Sequence, residues 1–252
     1  MELSLLTFVL LFFTGLLAGF VDSIAGGGGL ISLPVLLSVG LPPQVALGTN
    51  KLQGSFGTLS ATINFIRKGK ASLKENLSGI SFTFAGAVFG AWAIQQIQAG
   101  FIRHIIPFML LFVFIYTLAA RDLGKVQGRA KMGKHLFFMI FGLGLGFYDG
   151  FFGPGTGAFW TGALLILLGM DMTRATGTTR IMNFTSNIVA LAVFIIGGNV
   201  MYSAGLVMAL GQIIGARTGS GMAIQRGASF IRPIFLAMVF LTIVRLIYVN
   251  YV

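Results

Sequence analysis

The sequence predicts an all-α polytopic membrane protein, with about eight transmembrane helices in two homologous four-helix repeats and discontinuous helices at two glycine-rich breaks. Three observations carry this: a shortage of charge, two apolar segments too long for one crossing, and an internal duplication. Of 252 residues, 56% are hydrophobic and 9% charged, and the mean hydropathy is +0.92. A soluble domain carries about 25% charged residues. A soluble enzyme, a nucleic-acid-binding domain and a secreted scaffold are therefore excluded. Cysteine is absent, which removes disulfides, thiolate metal sites and cysteine nucleophiles. Two histidines, His104 and His135, do not make a metal site, and no catalytic Asp/Glu/His cluster is visible. No metal, cofactor or enzymatic activity is expected. The lipid bilayer is the expected environment, and a homodimer is compatible because lipid-facing and subunit-facing surfaces read alike.

Apolar stretches fall at 3–40, 41–66, 76–98, 101–120, 135–169, 172–198, 202–224 and 229–251. The first follows Glu2 with no basic residue and runs past any small-residue cleavage site, so it reads as a retained span rather than a secretory signal. Segments 3–40 and 135–169 exceed one crossing at 1.5 Å per residue. Each is interrupted by glycine, at Gly26-Gly27-Gly28-Gly29 and at Gly153-Pro154-Gly155-Thr156-Gly157. The simplest reading is a half-span, a break and a second helical piece in each. Trp92, Trp160, Tyr202 and Tyr248 are candidate interfacial anchors.

Basic residues place the loops. Seventeen Lys and Arg oppose six acids, for a net charge of +11. Arg67, Lys68, Lys70 and Lys74 share one connection, and Arg121, Lys125, Arg129, Lys131 and Lys134 another, against Arg103, Arg226 and Arg232 elsewhere. With eight spans, both basic connections fall on the side of both termini, which are then cytoplasmic. Re-entry of a broken segment would change this parity.

The chain repeats itself. Gly15-Leu16, Gly19-Phe20 and Asp22 recur as Gly142-Leu143, Gly146-Phe147 and Asp149, an offset of 127 residues. Ala46-Leu47-Gly48-Thr49-Asn50-Lys51 recurs as Ala175-Thr176-Gly177-Thr178-Thr179-Arg180, and Phe65-Ile66 and Ile102-Arg103 as Phe194-Ile195 and Ile231-Arg232, at an offset of 129. The predicted units are residues 1–120, a basic cytoplasmic connector at 121–134, and residues 135–252. Four spans per half predict parallel repeats, related by an axis along the membrane normal.

Breaks at matching positions of two repeats point to a midplane binding site. Helices restarting after glycine direct backbone N–H groups and partial positive charge into the break. Gly26, Gly27, Gly28, Gly29, Gly153, Gly155, Thr156 and Gly157 are the candidate backbone elements; tight helix crossing is the competing explanation for these small residues. Lys51 and Arg180 hold the same repeat position and would make the cavity anion-selective, unless they snorkel to an interface. Asn50, Gln53, Thr179, Asn183 and Asn187 are polar neighbours able to bond an oxyanion or to join helices. Asp22 and Asp149 either couple protons, or hold the breaks by accepting backbone N–H groups or pairing with Lys51 and Arg180. Arg217 either lines a cavity or faces headgroups.

Gly19-Phe20-Val21-Asp22 with the four-glycine run, Gly48-Thr49-Asn50-Lys51-Leu52-Gln53, and Gly146 through Gly157 resemble the TauE/SafE family of sulfite exporters and sulfonate permeases, with its YfcA-like branch nearest in pattern. The resemblance spans nearly the whole chain. It implies a bacterial inner-membrane carrier of sulfur-containing anions such as sulfite, sulfoacetate or other sulfonates. With no ATP-binding loop visible, a secondary transporter is expected, proton coupling remaining open. A passive anion or metabolite channel is the alternative.

Overall fold

A computed structural model describes residues 3–119 and 129–226. Segment 229–251, with its Ile231-Arg232 match and Tyr248, lies outside the described residues. So do Arg121, Lys125 and the side chain of Arg103. Every regular element among the described residues is helical. The first half holds α1 (Leu5–Ala25), α2 (Gly29–Ser38), α3 (Pro43–Arg67), a 3-10 turn at Lys74–Asn76, α4 (Leu77–Gln95) and α5 (Ala99–Ala119). The second holds α6 (Lys134–Phe137), a π turn at Phe138–Gly142, α7 (Leu143–Phe151), α8 (Thr156–Leu168), α9 (Met172–Ile196) and α10 (Tyr202–Arg226).

Local chemistry sets the boundaries. Ser4 caps α1 by accepting the Thr7 N–H, and Asp171 caps α9 by accepting that of Arg174. Proline at the first position of α3 has no N–H to leave unsatisfied. Gly26, at φ 78°, ends α1 in the left-handed region, and Gly155, at φ 83°, starts α8 from the same region. An L side chain is disfavoured at both. By length and composition, Leu5–Ile24, Lys74–Gln95 and Met172–Ile196 are long and apolar enough to cross a membrane. Helices α3 and α10 are as long as α9 at 25 residues, but bury Asn50, Lys51, Gln53 and Gln212.

The half-length helices turn back rather than continue. The Lys131 N–H, just before α6, donates to the Leu167 carbonyl near the end of α8 at 2.8 Å. Trp160 packs its ring 6.2 Å from Phe137 and 6.4 Å from Phe138. Helix α8 therefore returns to the face from which α6 entered. Trp160 is fully buried in this hairpin, so it is not an interfacial anchor; Trp92 and Tyr202 are exposed. In the first half, Gly28 lies back against Ala18 and Asp22.

Helix directions follow from which ends meet. Gly48, near the start of α3, abuts Asn199 beyond the end of α9. Beside it the Met201 N–H donates to Thr49 Oγ1 at 2.9 Å. Gly177, near the start of α9, abuts Lys70 and Phe65 at the end of α3. Helices α3 and α9 are thus antiparallel. Gly15 and Gly19 of α1 face Met208 and Gln212 of α10, while Gly215 and Gly219 of α10 face Leu16 and Phe20, so α1 and α10 run parallel. The α4–α7 pair copies this, Gly86 and Gly90 facing Phe147 and Gly146 and Gly150 facing Thr83 and Ala87. These glycines are close-packing positions, where small residues let backbones approach.

Two expectations change. Equivalent helices related by an axis along the membrane normal would be parallel, whereas α3 and α9 are antiparallel. Among the described residues, the antiparallel α3 and α9 and the hairpin form of each broken segment do not fit the expected parallel arrangement of the halves. The basic connections also do not share a face with the start of α1. Arg67, Lys68, Lys70, Lys74, Arg129, Lys131, Lys134, Arg174 and Arg226 lie at the basic face, where α3 and α10 end and α4, α6 and α9 begin. Helix α1 begins at the opposite face, parallel to α10.

Candidate functional site

The two hairpin tips meet. Gly26 packs against Gly157 so closely that a Cβ on either would strike the other's backbone, and Gly29 lies against Pro154. Tight turns close both tips: Leu30 N–H bonds Gly27 O and Thr156 N–H bonds Gly153 O, while the Thr156 hydroxyl also donates to Gly153 O at 2.5 Å. Tyr148 OH ties the second tip by donating to Pro154 O at 2.8 Å. The Gly28 N–H is occupied by Asp22 Oδ1 at 3.1 Å. These N–H groups stabilise the tips themselves, so side chains supply the groups left for a ligand at these points.

Helices α3 and α9 bring one cation each. Lys51 Nζ lies 2.6 Å from Asp149 Oδ1, with both side chains buried. Ser186 Oγ donates to Asp149 Oδ2. Arg180 Nη1 lies 3.3 Å from Asp22 Oδ2 and also donates to the Asp22 backbone carbonyl. Each cation therefore pairs with the acid of the other half, and the four charges sum to zero. The strongly cationic cavity expected from Lys51 and Arg180 is thereby neutralised from within. Lys51 and Arg180 each sit about 12 Å along their helix at 1.5 Å per residue. Because those helices are antiparallel, the two cations come from opposite ends of the α3–α9 pair, and Asp22, Lys51 and Asp149 line one cavity.

A cavity of about 30 Å³ lies at the tips, lined by Asp22, Gly26, Gly29, Asn50, Lys51, Gln53, Gly54, Asp149, Gly153, Gly155, Asn183, Asn187 and Gln212. That is room for a water or two. Gly27, Gly28, Thr156, Gly157 and Arg180 stand behind this lining, Gly157 pressed on the Arg180 and Asn183 side chains. Thr179 faces Thr161, their hydroxyls 3.0 Å apart. Arg217 is exposed on α10, away from the tips.

Several buried polar atoms here lack partners. Arg180 is fully buried, yet its Nε and Nη2 bond nothing, and Gln53 Oε1, Asn183 Oδ1 and Gln212 Oε1 are likewise unpaired. The Gln53 amide is oriented, since Nε2 donates to Asn50 Oδ1 at 2.8 Å and Ser32 Oγ at 3.1 Å. Such atoms cost about 1–3 kcal/mol each when left unmade. Ser32, Ser186 and Gln212 were not legible as site residues. A lone serine in an apolar helix gives no signal, whereas a glutamine in a glycine-rich apolar helix gives a weak one. A second cavity of about 310 Å³ lies at the basic face among Lys70, Glu75, Lys134, Asp171 and Arg174.

Re-entrant hairpins meeting tip to tip, with paired charges from long helices between them, define a multi-pass membrane protein built like a transporter. Comparison with known proteins gives the family. The profile described as Sulfite exporter TauE/SafE matches residues 11–246, and the chain belongs to that family. It is 42% identical over 238 residues to the probable membrane transporter protein YfcA of Escherichia coli K12, covering 94% of this chain and 88% of that one. A probable membrane transporter protein of Haemophilus influenzae is 39% identical over 248 residues, 98% of this chain and 97% of its own. Bacillus subtilis YdhB, also called a probable membrane transporter protein, is 26% identical over 225 residues, with 86% and 89% covered. No solved structure matches the chain.

Proposed function

We propose that this protein is a secondary transporter of small anions, with sulfur oxyanions and sulfonates as the substrate class, in the bacterial inner membrane. One observation carries the reading: Arg180, fully buried at the hairpin tips, keeps Nε and Nη2 unpaired while Nη1 alone holds Asp22. A planar guanidinium edge matches two oxygens of a sulfonate or sulfite. Lys51, Asn50 and Asn183 complete the candidate shell. The small cavity and the ion pairs at its wall favour a carrier that rearranges over a passive channel.

The halves are read as inverted repeats related by an axis in the membrane plane. The matched α1–α10 and α4–α7 contacts support this, as does the antiparallel α3–α9 pair. With the basic face cytoplasmic, the start of α1 faces away from the cytoplasm. The test is flux of labelled sulfite, sulfoacetate and methanesulfonate into proteoliposomes. Saturable uptake with countertransport is the expected result; uptake of none by folded protein overturns the substrate class.

A further inference from the structure

We infer that the two buried acids have different tasks, Asp22 being the exchangeable proton-carrying carboxylate and Asp149 a fixed counter-charge. This rests on the transporter reading above. Asp149 is held through both oxygens, by Lys51 at 2.6 Å and by the Ser186 hydroxyl, and is 3% exposed. Asp22 is held by one N–H at 3.1 Å and one guanidinium contact at 3.3 Å, and its side chain is 17% exposed. Arg180 also grips the Asp22 backbone carbonyl. The guanidinium therefore stays in place when the carboxylate leaves it, and its free Nε and Nη2 then meet an incoming anion.

Charge balance gives the step. Lys51, Arg180, Asp22 and Asp149 are neutral together, so an added monovalent anion leaves one uncompensated charge in a buried site, a cost of several kcal/mol. A proton on Asp22 Oδ2 removes it. The carboxylic acid swings off Arg180, the anion takes its place, and after release the proton leaves to the face that received the anion. The charged groups around Asp22 are Arg180 from α9, Lys51 from α3 and Asp149 from α7; Arg217 of α10 is exposed. One proton accompanies one monovalent anion, so the cycle is electroneutral.

The test uses the full chain in proteoliposomes with methanesulfonate. A one-unit pH gradient, acid outside, drives about tenfold accumulation in the wild type, unchanged by an imposed potassium potential. In Asp22→Asn the pH-driven accumulation falls to about onefold, and Asp22→Glu restores it. Infrared difference spectra between acid and neutral buffer need no anion. A protonated-carboxyl band present in the wild type and in Ser186→Ala disappears in Asp22→Asn. Persistence of that band in Asp22→Asn, or tenfold pH-driven accumulation by that variant, overturns the assignment. If the wild type moves no methanesulfonate, the substrate class is at fault for that probe, and the band decides the proton site by itself.

Discussion

Gly26 and Gly157 lie backbone to backbone, each filling the volume that a side chain on the other would need. This contact joins the tips of two hairpins that begin at opposite faces of the molecule. Gly26→Ala meets two obstacles, since φ there is 78° and the space is taken. Overpacking of this kind costs about 1–3 kcal/mol. Gly26→Ala and Gly157→Ala should lower the melting temperature of purified protein and abolish flux. Gly144→Ala, a helical position with nothing within 4 Å, should leave both unchanged.

Arg180→Lys keeps the charge and removes the fork. Hydrogen bonds to charged groups contribute about 1.5–3 kcal/mol, so the KM for the transported anion should rise about tenfold to a hundredfold. Initial rates over a range of anion concentrations read this directly. An unchanged KM would remove Arg180 from the site.

Asp149→Ala strands Lys51 in a buried position, where breaking one side of an ion pair costs about 3–5 kcal/mol. The variant should be recovered in low amounts and melt early. The double variant Lys51→Met, Asp149→Leu replaces both charges with apolar groups and should recover stability. Transport should remain absent in it, because the anion site has lost a cation. Melting curves beside flux separate the two effects.

The native chain has no cysteine, so an introduced thiol reports only on itself. Ser72→Cys, in the basic α3–α4 connection, should react with impermeant maleimide only from the cytoplasmic side. Ser4→Cys, at the start of α1, should react only from the other. Labelling of both positions from one side would return the start of α1 to the basic face and contradict the hairpin topology.

The membrane class was legible because a bilayer imposes it on composition, and the two breaks were legible because glycine runs stand out in apolar helices. The matching of Asp22 with Asp149 and of Lys51 with Arg180 was legible as a sequence repeat. Their crossing was not, since Lys51 and Asp149 stand far apart in the chain and either acid was open to either cation. The reversal at each tip was hidden for a different reason. A helix that runs back beside its predecessor has the same apolar composition as one that continues across. The Lys131–Leu167 hydrogen bond and the tilted packing of Trp160 against Phe137 and Phe138 distinguish them, and these depend on tertiary packing. That one turn decides the parity, hence the face on which α1 begins. Ser186 could not be read as a partner of Asp149 without that packing.

The crossing of the ion pairs also orders events on the ribosome. Lys51 is made 98 residues before the aspartate that neutralises it, so the nascent first half holds an unmatched ammonium while the second is still being synthesised. A central lysine costs about 2.5–3.5 kcal/mol on insertion scales, which delays firm seating of α3 in lipid until α7 emerges. Arg180 enters under the opposite condition, with Asp22 already waiting. Biogenesis is therefore lopsided between the two halves, and truncation after residue 119 should leave a first half that is prone to proteolysis.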